Sequence, residues 1–249
     1  MNKYKEIIKL ITTSNKITVL TGAGISTESG LPDFRSKDGF WTKNKPIQFQ
    51  DYLDDEKKQR LSWSRNIELH KILKKIKPNI GHTFVEKIVN LNNKENFLIT
   101  QNIDGLHQRS GVPEDKIIEI HGNAIEARCL NCGEKADIFD FHAAIKANNP
   151  LPKCSNCDGI VKVATISFGQ PMNENDLLQA SNISSQCDLM IVMGSSLSVM
   201  PAGQIPSLAI KSGAKLVILN REETIYDAMA NIVINDELKI ICGELIKLI

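Results

Sequence analysis

The sequence predicts an α/β protein: a Rossmann-like, doubly wound parallel sheet carrying a small inserted zinc-ribbon module and a helical insertion. Three observations predict it. Short runs rich in Val and Ile recur along the 249 residues at Ile17 to Leu20, Phe97 to Ile99, Ile117 to Ile120, Leu189 to Met193, Leu216 to Leu219 and Ile232 to Ile234. They lack the polar alternation of a half-exposed sheet, as strands covered on both faces do, and helix-length segments separate them at βαβ distances. Between Arg128 and Val163 that rhythm gives way to paired cysteines, prolines and glycines, as expected of a small module set into a larger fold.

Composition removes several function classes. With 42% hydrophobic and 24% charged residues the chain has an ordinary globular balance. Its 30 Lys+Arg against 29 Asp+Glu leave +1, so no broad positive field advertises a nucleic acid or an anionic membrane as partner. A chain this long buries roughly three quarters of its unfolded surface and needs no staple for bulk stability. The six cysteines are therefore too few for a disulfide scaffold, and MNKYKEIIKLITTSNK has no apolar signal core. The expectation is a reduced, cytoplasmic protein. No apolar run approaches the roughly 20 residues a membrane-spanning helix needs.

The elements follow in order. Asn2 to Thr13 reads as a helix with Tyr4, Ile7, Ile8 and Ile11 on one face. The first strand runs into Thr21-Gly22-Ala23-Gly24-Ile25-Ser26-Thr27-Glu28-Ser29-Gly30, where paired glycines allow a tight turn and close approach to a ligand. A following helix would aim unpaired N–H groups at a phosphate. As a dinucleotide fingerprint the loop is incomplete, since the third glycine falls on Thr27, and a plain tight turn is the competing reading. Leu31-Pro32-Asp33-Phe34-Arg35 then sets a proline, an acid, an aromatic and an arginine in one loop. The stretch Lys37 to Leu73 reads as a mobile loop leading into helices such as Asp55 to Lys75.

The second and third strands end in polar clusters. Phe97 to Thr100 delivers Gln101-Asn102-Ile103-Asp104-Gly105-Leu106-His107, and Ile117 to Ile120 delivers His121-Gly122-Asn123. Polar side chains at the carboxyl ends of adjacent parallel strands point into the crevice where open α/β sheets bind ligands. A lone His121 would more often be a core or surface histidine; the neighbouring cluster shifts the reading toward a site. His107 reads as a surface helix residue without chemistry.

Cys129-Leu-Asn-Cys132 and Cys154-Ser-Asn-Cys157 form two C-x2-C knuckles, a spacing that suits one tetrahedral structural Zn²⁺ with no open position. Two disulfides conflict with a reducing compartment, and a lone redox pair conflicts with two knuckles. Lys135, Lys146 and Lys153 are diluted by Glu134, Asp137 and Asp140, so structural support is favoured over nucleic-acid binding. Cys187 and Cys242 read as buried free thiols. Helices are expected at Asn175 to Ile183, Pro201 to Lys211 and Thr224 to Ala230. The later strands end in Gly194-Ser195-Ser196-Leu197-Ser198-Val199, also readable as a helix-capping turn, and in Asn220-Arg221-Glu222.

In this order, the Gly22 to Arg35 loop, the run Thr100 to Asp104, His121-Gly122, Phe168-Gly169 and Gly194 to Val199 resemble the sirtuins, the NAD-dependent protein-lysine deacylases, from about Lys16 to Ile249. The resemblance implies NAD contacts from Gly22, Ala23, Gly24, Ser26, Asp33, Phe34 and Arg35. It also implies that Gln101 touches the ribose, Asn102 positions the nicotinamide ribose and a water, and Asp104 with Ile103 holds the carboxamide. His121 would be the general base, at an ordinary pKa of about 6.5. Gly194, Ser195, Ser196, Asn220, Arg221 and, near the end, Leu238 would meet the adenosine side. Phe168, Gly169 and the backbone from Leu197 to Val199 would pair with an extended acyl-lysine peptide.

Three positions depart from the family pattern. Gln170 stands where F-G-E is common, Asn235 where a glycine is usual before Leu238, and Ser62 where succinyl-preferring members carry the tyrosine of a Tyr-x-x-Arg pair ending here at Arg65. The implied division is an NAD-binding part at 15–36, 76–124 and 164–249, a cofactor loop and helical insertion at 37–75, and a zinc module at 125–163, all within one catalytic domain, 1–249. The expected partner is an acyl-lysine protein or peptide, without direct nucleic-acid or membrane binding. An NAD-dependent ADP-ribosyltransferase or glycohydrolase, and a zinc-stabilised binding module, are the competing functions.

Overall fold

Asn2 opens the chain by capping helix α1 (Lys3–Thr13), its side chain accepting from the Tyr4 N–H, and α1 buries Ile7 and Ile11 as its periodicity predicts. The computed structural model describes residues 2–32 and 45–249. After α1 come β1 (Ile17–Thr21), a 3₁₀ turn (Ala23–Ser29), α2 (Phe49–Asp54), α3 (Glu56–Leu73), α4 (Ile80–Val89) and β2 (Phe97–Thr100). The middle of the chain forms α5 (Leu106–Arg109), β3 (Ile117–Glu119), β4 (Gly122–Cys129), β5 (Lys135–Ala136), α6 (Ile138–Lys146) and β6 (Val161–Thr165). The last part forms α7 (Glu174–Gln186), β7 (Leu189–Met193), α8 (Ile205–Lys211), β8 (Lys215–Leu219), β9 (Ile232–Ile234) and α9 (Leu238–Ile246).

All six apolar runs become strands of one sheet in the order β3-β2-β1-β7-β8-β9, and every neighbouring pair is parallel. The absence of alternation has the expected cause: residues of β1 and β7 are buried on both faces. One face, with Val19, Leu98, Ile191 and Val217, packs with residues of α1, α4 and α9, while the other, with Leu20, Ile99, Val192 and Ile218, packs with residues of α7 and α8. The order runs outward in one direction from β1 to β3 and in the other from β7 to β9. The β1/β7 seam is therefore the topological switch point, where doubly wound sheets open a crevice. Register sets Thr21 beside both Thr100 and Met193, so three strands end at one level.

A second, antiparallel sheet of order β5-β4-β6 stands apart, with a core built from Ala124, Ala127, Val161 and Val163 against Trp63 and Phe141. Gly122 joins the sheets. It pairs with Thr165 at φ 68°, and a Cβ there would lie 1.8 Å from the Ala164 carbonyl oxygen. A Gly122→Ala substitution should therefore cost at least about 2 kcal/mol in urea unfolding, because left-handed strain and a backbone clash add. An unchanged midpoint would refute that geometry.

Three expectations are corrected. The turn after Gly22 is a 3₁₀ turn rather than an α-helix, stopped by Gly30 at φ 94°. Thr224 to Ala230 carries only a short 3₁₀ turn (Asp227–Met229), held by the Thr224 hydroxyl donating to the Asp227 carboxylate. The cysteine segment, expected to break the strand and helix rhythm, contains α6, capped by Asp137 and burying Ile138, Phe141 and Ala144 at helical spacing.

Candidate active site

The glycines sit where backbones meet. The Gly22 N–H donates to the Met193 carbonyl at 3.0 Å and the Gly24 N–H to the Gly194 carbonyl at 2.9 Å, crossing the loops after β1 and β7 over the switch point. A Cβ on Gly22 would stand 2.7 Å from the Gly194 oxygen, so loop packing alone demands these glycines.

Asn102 and Asp104 face this seam with Ser26. Asn102 donates from Nδ2 to the Gly22 carbonyl and to Ser26 Oγ, both at 3.2 Å. Its Oδ1 is buried with no hydrogen-bond partner among the described residues, an acceptor left for a ligand or water. Asp104 Oδ2 accepts from the Ser26 hydroxyl at 2.7 Å and Oδ1 from the Leu106 N–H at 2.9 Å. Burial raises the Asp104 pKa above the ordinary carboxylate value. Gln101 donates to Ser195 Oγ at 2.8 Å and so ties the end of β2 to the loop after β7.

Beneath this cluster lies a pair of histidines that sequence reasoning missed. His107, expected on the surface, is 1% exposed, because Gly105 at φ 68° turns α5 inward over β1 and β2. The Thr21 hydroxyl donates to Thr100, so His107 Nε2, 3.0 Å from Thr21 Oγ1, carries the ring proton. His82 receives the Asn79 N–H on Nδ1, which leaves Nε2–H directed at Ser26 Oγ, 3.5 Å away, and the two rings stand 4.9 Å apart. The legible signal was Asn79 to His82, a capping box at the start of α4.

Burial lowers the His82 pKa from 6.5 to about 4 and depresses that of His107 as well, so both rings are neutral. An unfolded imidazole takes its proton near pH 6.5. The stability contributed by keeping His82 neutral is therefore complete above that value and is lost as pH falls toward 4. Asp104, raised in the fold, acts with the opposite sign. Comparison with a His82→Gln variant isolates the His82 share. Between about pH 7 and about pH 4.5 the unmodified protein should lose about 2 to 3 kcal/mol more unfolding free energy than the variant. Parallel pH profiles would refute this.

His121 stands at the end of β3 opposite that cluster. Its Nδ1 lies 3.1 Å from the Gln101 carbonyl oxygen, which only accepts, so Nδ1 carries the hydrogen and the lone pair of the neutral ring is on Nε2. Its own carbonyl accepts the Ile166 N–H at 2.9 Å, which fixes the backbone at the mouth of the second sheet. Asn123 is taken up by the turn, accepting the Glu126 N–H and donating to Glu119.

The four knuckle cysteines converge. Their Sγ atoms all lie within 4.8 Å of one another, with Cys129 and Cys157 3.5 Å apart and Cys132 and Cys154 3.6 Å apart. Tetrahedral zinc with Zn–S of about 2.3 Å places sulfurs about 3.8 Å apart, so the donor set and spacing fit one structural Zn²⁺. Cys187 and Cys242 are buried free thiols, raised by burial to about 11 and about 12 and thus protonated.

The remaining residues fall into two groups. Gly194, Ser195 and Ser196 border the seam, with Ser195 buried and Ser196 exposed and bonded to Ser198 at 2.8 Å. Asn220 ends β8, its Nδ2 donating to the Glu222 carbonyl, and Arg221 is held by Glu222 and Glu237. Phe168 and Gly169 are exposed at a turn that Gln170 closes by accepting the Ser167 N–H at 3.1 Å. At 197–199, expected to pair with an extended peptide, Leu197 has φ 57° and a fully buried side chain, and the Val199 carbonyl accepts from Gly203. Leu238 places its side chain in the core at the start of α9. Asp33, Phe34 and Arg35 lie outside the described residues.

Comparison with known proteins extends this picture. The model of the Sir2 family matches residues 22–201. A protein of Rhodopseudomonas palustris named NAD-dependent protein deacetylase is 41% identical over 229 residues, covering 92% of this chain and 90% of that protein. One of the same name from Thermotoga maritima is 36% identical over 240 residues, covering 94% of this chain and 93% of its own length. Among solved structures, Sir2Tm bound to a propionylated peptide superposes with a TM-score of 0.85 at 33% identity, covering 99% of this chain and 98% of that one. A Sir2–p53 peptide–NAD+ complex gives a TM-score of 0.79 at 33% identity over 98% of this chain and 97% of that one.

Proposed function

The chain belongs to the Sir2 family, and from that premise we propose that it removes acyl groups, foremost acetyl, from protein lysine side chains at the expense of NAD. The observation that carries the reading is the group at the switch point: the buried, unpartnered Asn102 Oδ1, Asp104 bound to Ser26, and His121 anchored through Nδ1 to the carbonyl of Gln101. The cleft fits a dinucleotide, having glycine-tight walls and an acceptor without a partner. Gly22, Ala23, Gly24 and Ser26 with Asp33, Phe34 and Arg35 would hold one end, and Gly194, Ser195, Ser196, Asn220 and Arg221 the adenosine end. NAD, when bound, would supply the ADP-ribosyl group that accepts the acyl chain, and with one water consumed the products would be nicotinamide, free lysine and 2′-O-acyl-ADP-ribose.

The chain's own groups divide the work. Asn102 offers Oδ1 to ribose or water while Nδ2 stays committed to the Gly22 carbonyl. Asp104 and the Ile103 backbone hold the carboxamide end. His121 takes a proton on Nε2, and its new charge is shared through Nδ1–H with the Gln101 carbonyl. Phe168 and Gly169 line the peptide path. The zinc site is structural, taking no part in the chemistry. The division proposed is 15–36, 76–124 and 164–249 for NAD binding, 37–75 for the cofactor loop and helical insertion, and 125–163 for the zinc module, with β4 and β6 running across the module's two boundaries. A cytoplasmic, reducing location is consistent with four converging cysteine sulfurs and two protonated buried thiols. No helix among the described residues is long and apolar enough to cross a membrane.

The test is purified protein with NAD and a panel of acyl-lysine peptides, read by mass spectrometry. The expected result is acetyl-peptide consumption matched by nicotinamide and acyl-ADP-ribose. Nicotinamide release independent of acyl-lysine, or ADP-ribosylated protein as the main product, would overturn the reading. Within the panel, succinyl-lysine should turn over at least about tenfold more slowly than acetyl-lysine. Ser62 supplies no phenol, and Arg65 Nη1 is occupied by the Lys45 carbonyl at 2.8 Å. A faster succinyl rate would refute that assignment.

A further inference from the structure

Away from the seam, α3 and α6 pack through Trp63 stacked on Phe141, ring centroids 4.3 Å apart, and then diverge. The gap between them is an open cavity of about 300 Å³. Its floor is apolar, formed by Ile67, Phe139 and Ala143, and Phe139 is 57% exposed although large and aromatic. Its rim is cationic. Lys71, Lys74 and Lys146 all project there, no acidic residue lines the cavity, and of the three only Lys71 has a carboxylate partner, Glu68, among the described residues. Lys74 Nζ instead lies 5.2 Å over the Phe139 ring. A cavity at the lower end of the ~300–1,000 Å³ range of small-molecule sites, apolar below and carrying two lysines without a carboxylate partner above, complements an organic anion with a compact apolar body.

The back wall connects this cavity to the catalytic seam. His142 and His70 stand there with rings 5.0 Å apart. His70 Nε2–H donates to the Ala124 carbonyl, and the Ala124 N–H donates to the Ile103 carbonyl at 2.8 Å. Ile103 lies between Asn102 and Asp104. A group seated against His70 thus acts on Ala124 through its carbonyl, and the N–H of the same residue holds the loop that carries both site residues.

We propose that the α3–α6 cavity is a regulatory site for a small amphipathic carboxylate, aromatic or aliphatic, coupled to the catalytic loop through His70, Ala124 and Ile103. Carboxylate oxygens meet Lys74 and Lys146, and the carbon body covers Ile67 and Phe139. The binding part of this inference stands whether or not the chain proves to be a deacylase.

The test titrates the full-length protein with 2-naphthoate, with decanoate and with uncharged 2-naphthylmethanol, followed by amide NMR. A K74E/K146E variant serves as the control, its two exposed substitutions lying outside the catalytic and metal sites. Saturable binding of one or both carboxylates is expected, with shifts at α3 and α6. Affinity should fall at least about tenfold in the variant and for the alcohol. The Ile103 and Ala124 amides should move in step with occupancy. Binding unchanged in a folded variant, equal binding of the alcohol, or no saturation by either acid would overturn the site. Saturation with the Ile103 and Ala124 amides unmoved would overturn the coupling. A tenfold loss with K74M/K146M as well would show that the lysines act by charge rather than through fold damage.

Discussion

His121→Ala is expected to lower acetyl-lysine turnover by about 10²- to 10⁴-fold while nicotinamide exchange into NAD remains measurable, the range typical for loss of a general base. The prediction follows from what holds His121. Its ring reaches the site through Nδ1–H on the Gln101 carbonyl, and its backbone is fixed by the Ile166 N–H, a bond the variant keeps. Truncation therefore removes the Nε2 acceptor and leaves the β3–β6 junction in place. Asn102, Asp104 and Ser26 form their own bonds across the seam and need nothing from His121. Labelled nicotinamide exchange measured beside product formation separates the two steps. Equal loss of both in a variant with unchanged circular dichroism would show that His121 holds the cluster together instead of moving a proton.

The parts of this molecule legible in its sequence are those that a local pattern dictates. Strands such as β1 and β7, buried on both faces, have no polar alternation and stood out as apolar runs, and the knuckle spacing announced four converging thiols. What stayed hidden depends on conformations that a residue string does not display. His107 reads as a surface residue until Gly105 is known to turn α5 inward. His82 reads as part of a helix cap until α4 is known to pack against Ser26, more than fifty residues earlier in the chain. Helix α6 was concealed by its neighbours, since cysteines and prolines on either side drew attention from the cap at Asp137.

Zinc removal is expected to abolish turnover and to unfold the second sheet while the parallel sheet persists. The core around Ala124, Val161 and Val163 is small and closed by Trp63 and Phe141, and β5 beside the first knuckle contributes only two residues, so the metal is the main tie at the knuckle end. Structural zinc supplies about 10–16 kcal/mol of apparent binding free energy in isolated fingers near neutral pH, more than so small a core can replace. Four sulfurs within 4.8 Å of one another also lose, with the cation, the bonds that tie one knuckle to the other. The consequences reach the active site because Gly122 pairs with Thr165, His121 accepts from Ile166, and Ala124 donates to Ile103, all across the junction that β4 and β6 form. Metal analysis should find one zinc per chain. Chelation should release it with loss of hydrogen-exchange protection over 122–165 and loss of turnover, both restored by added Zn²⁺. Cys154→Ser should reproduce the effect, and Cys242→Ser, at a buried thiol distant from the knuckles in sequence, should leave metal content unchanged. A chelated, zinc-free protein that kept both its protection pattern and its turnover would show that the second sheet folds without metal.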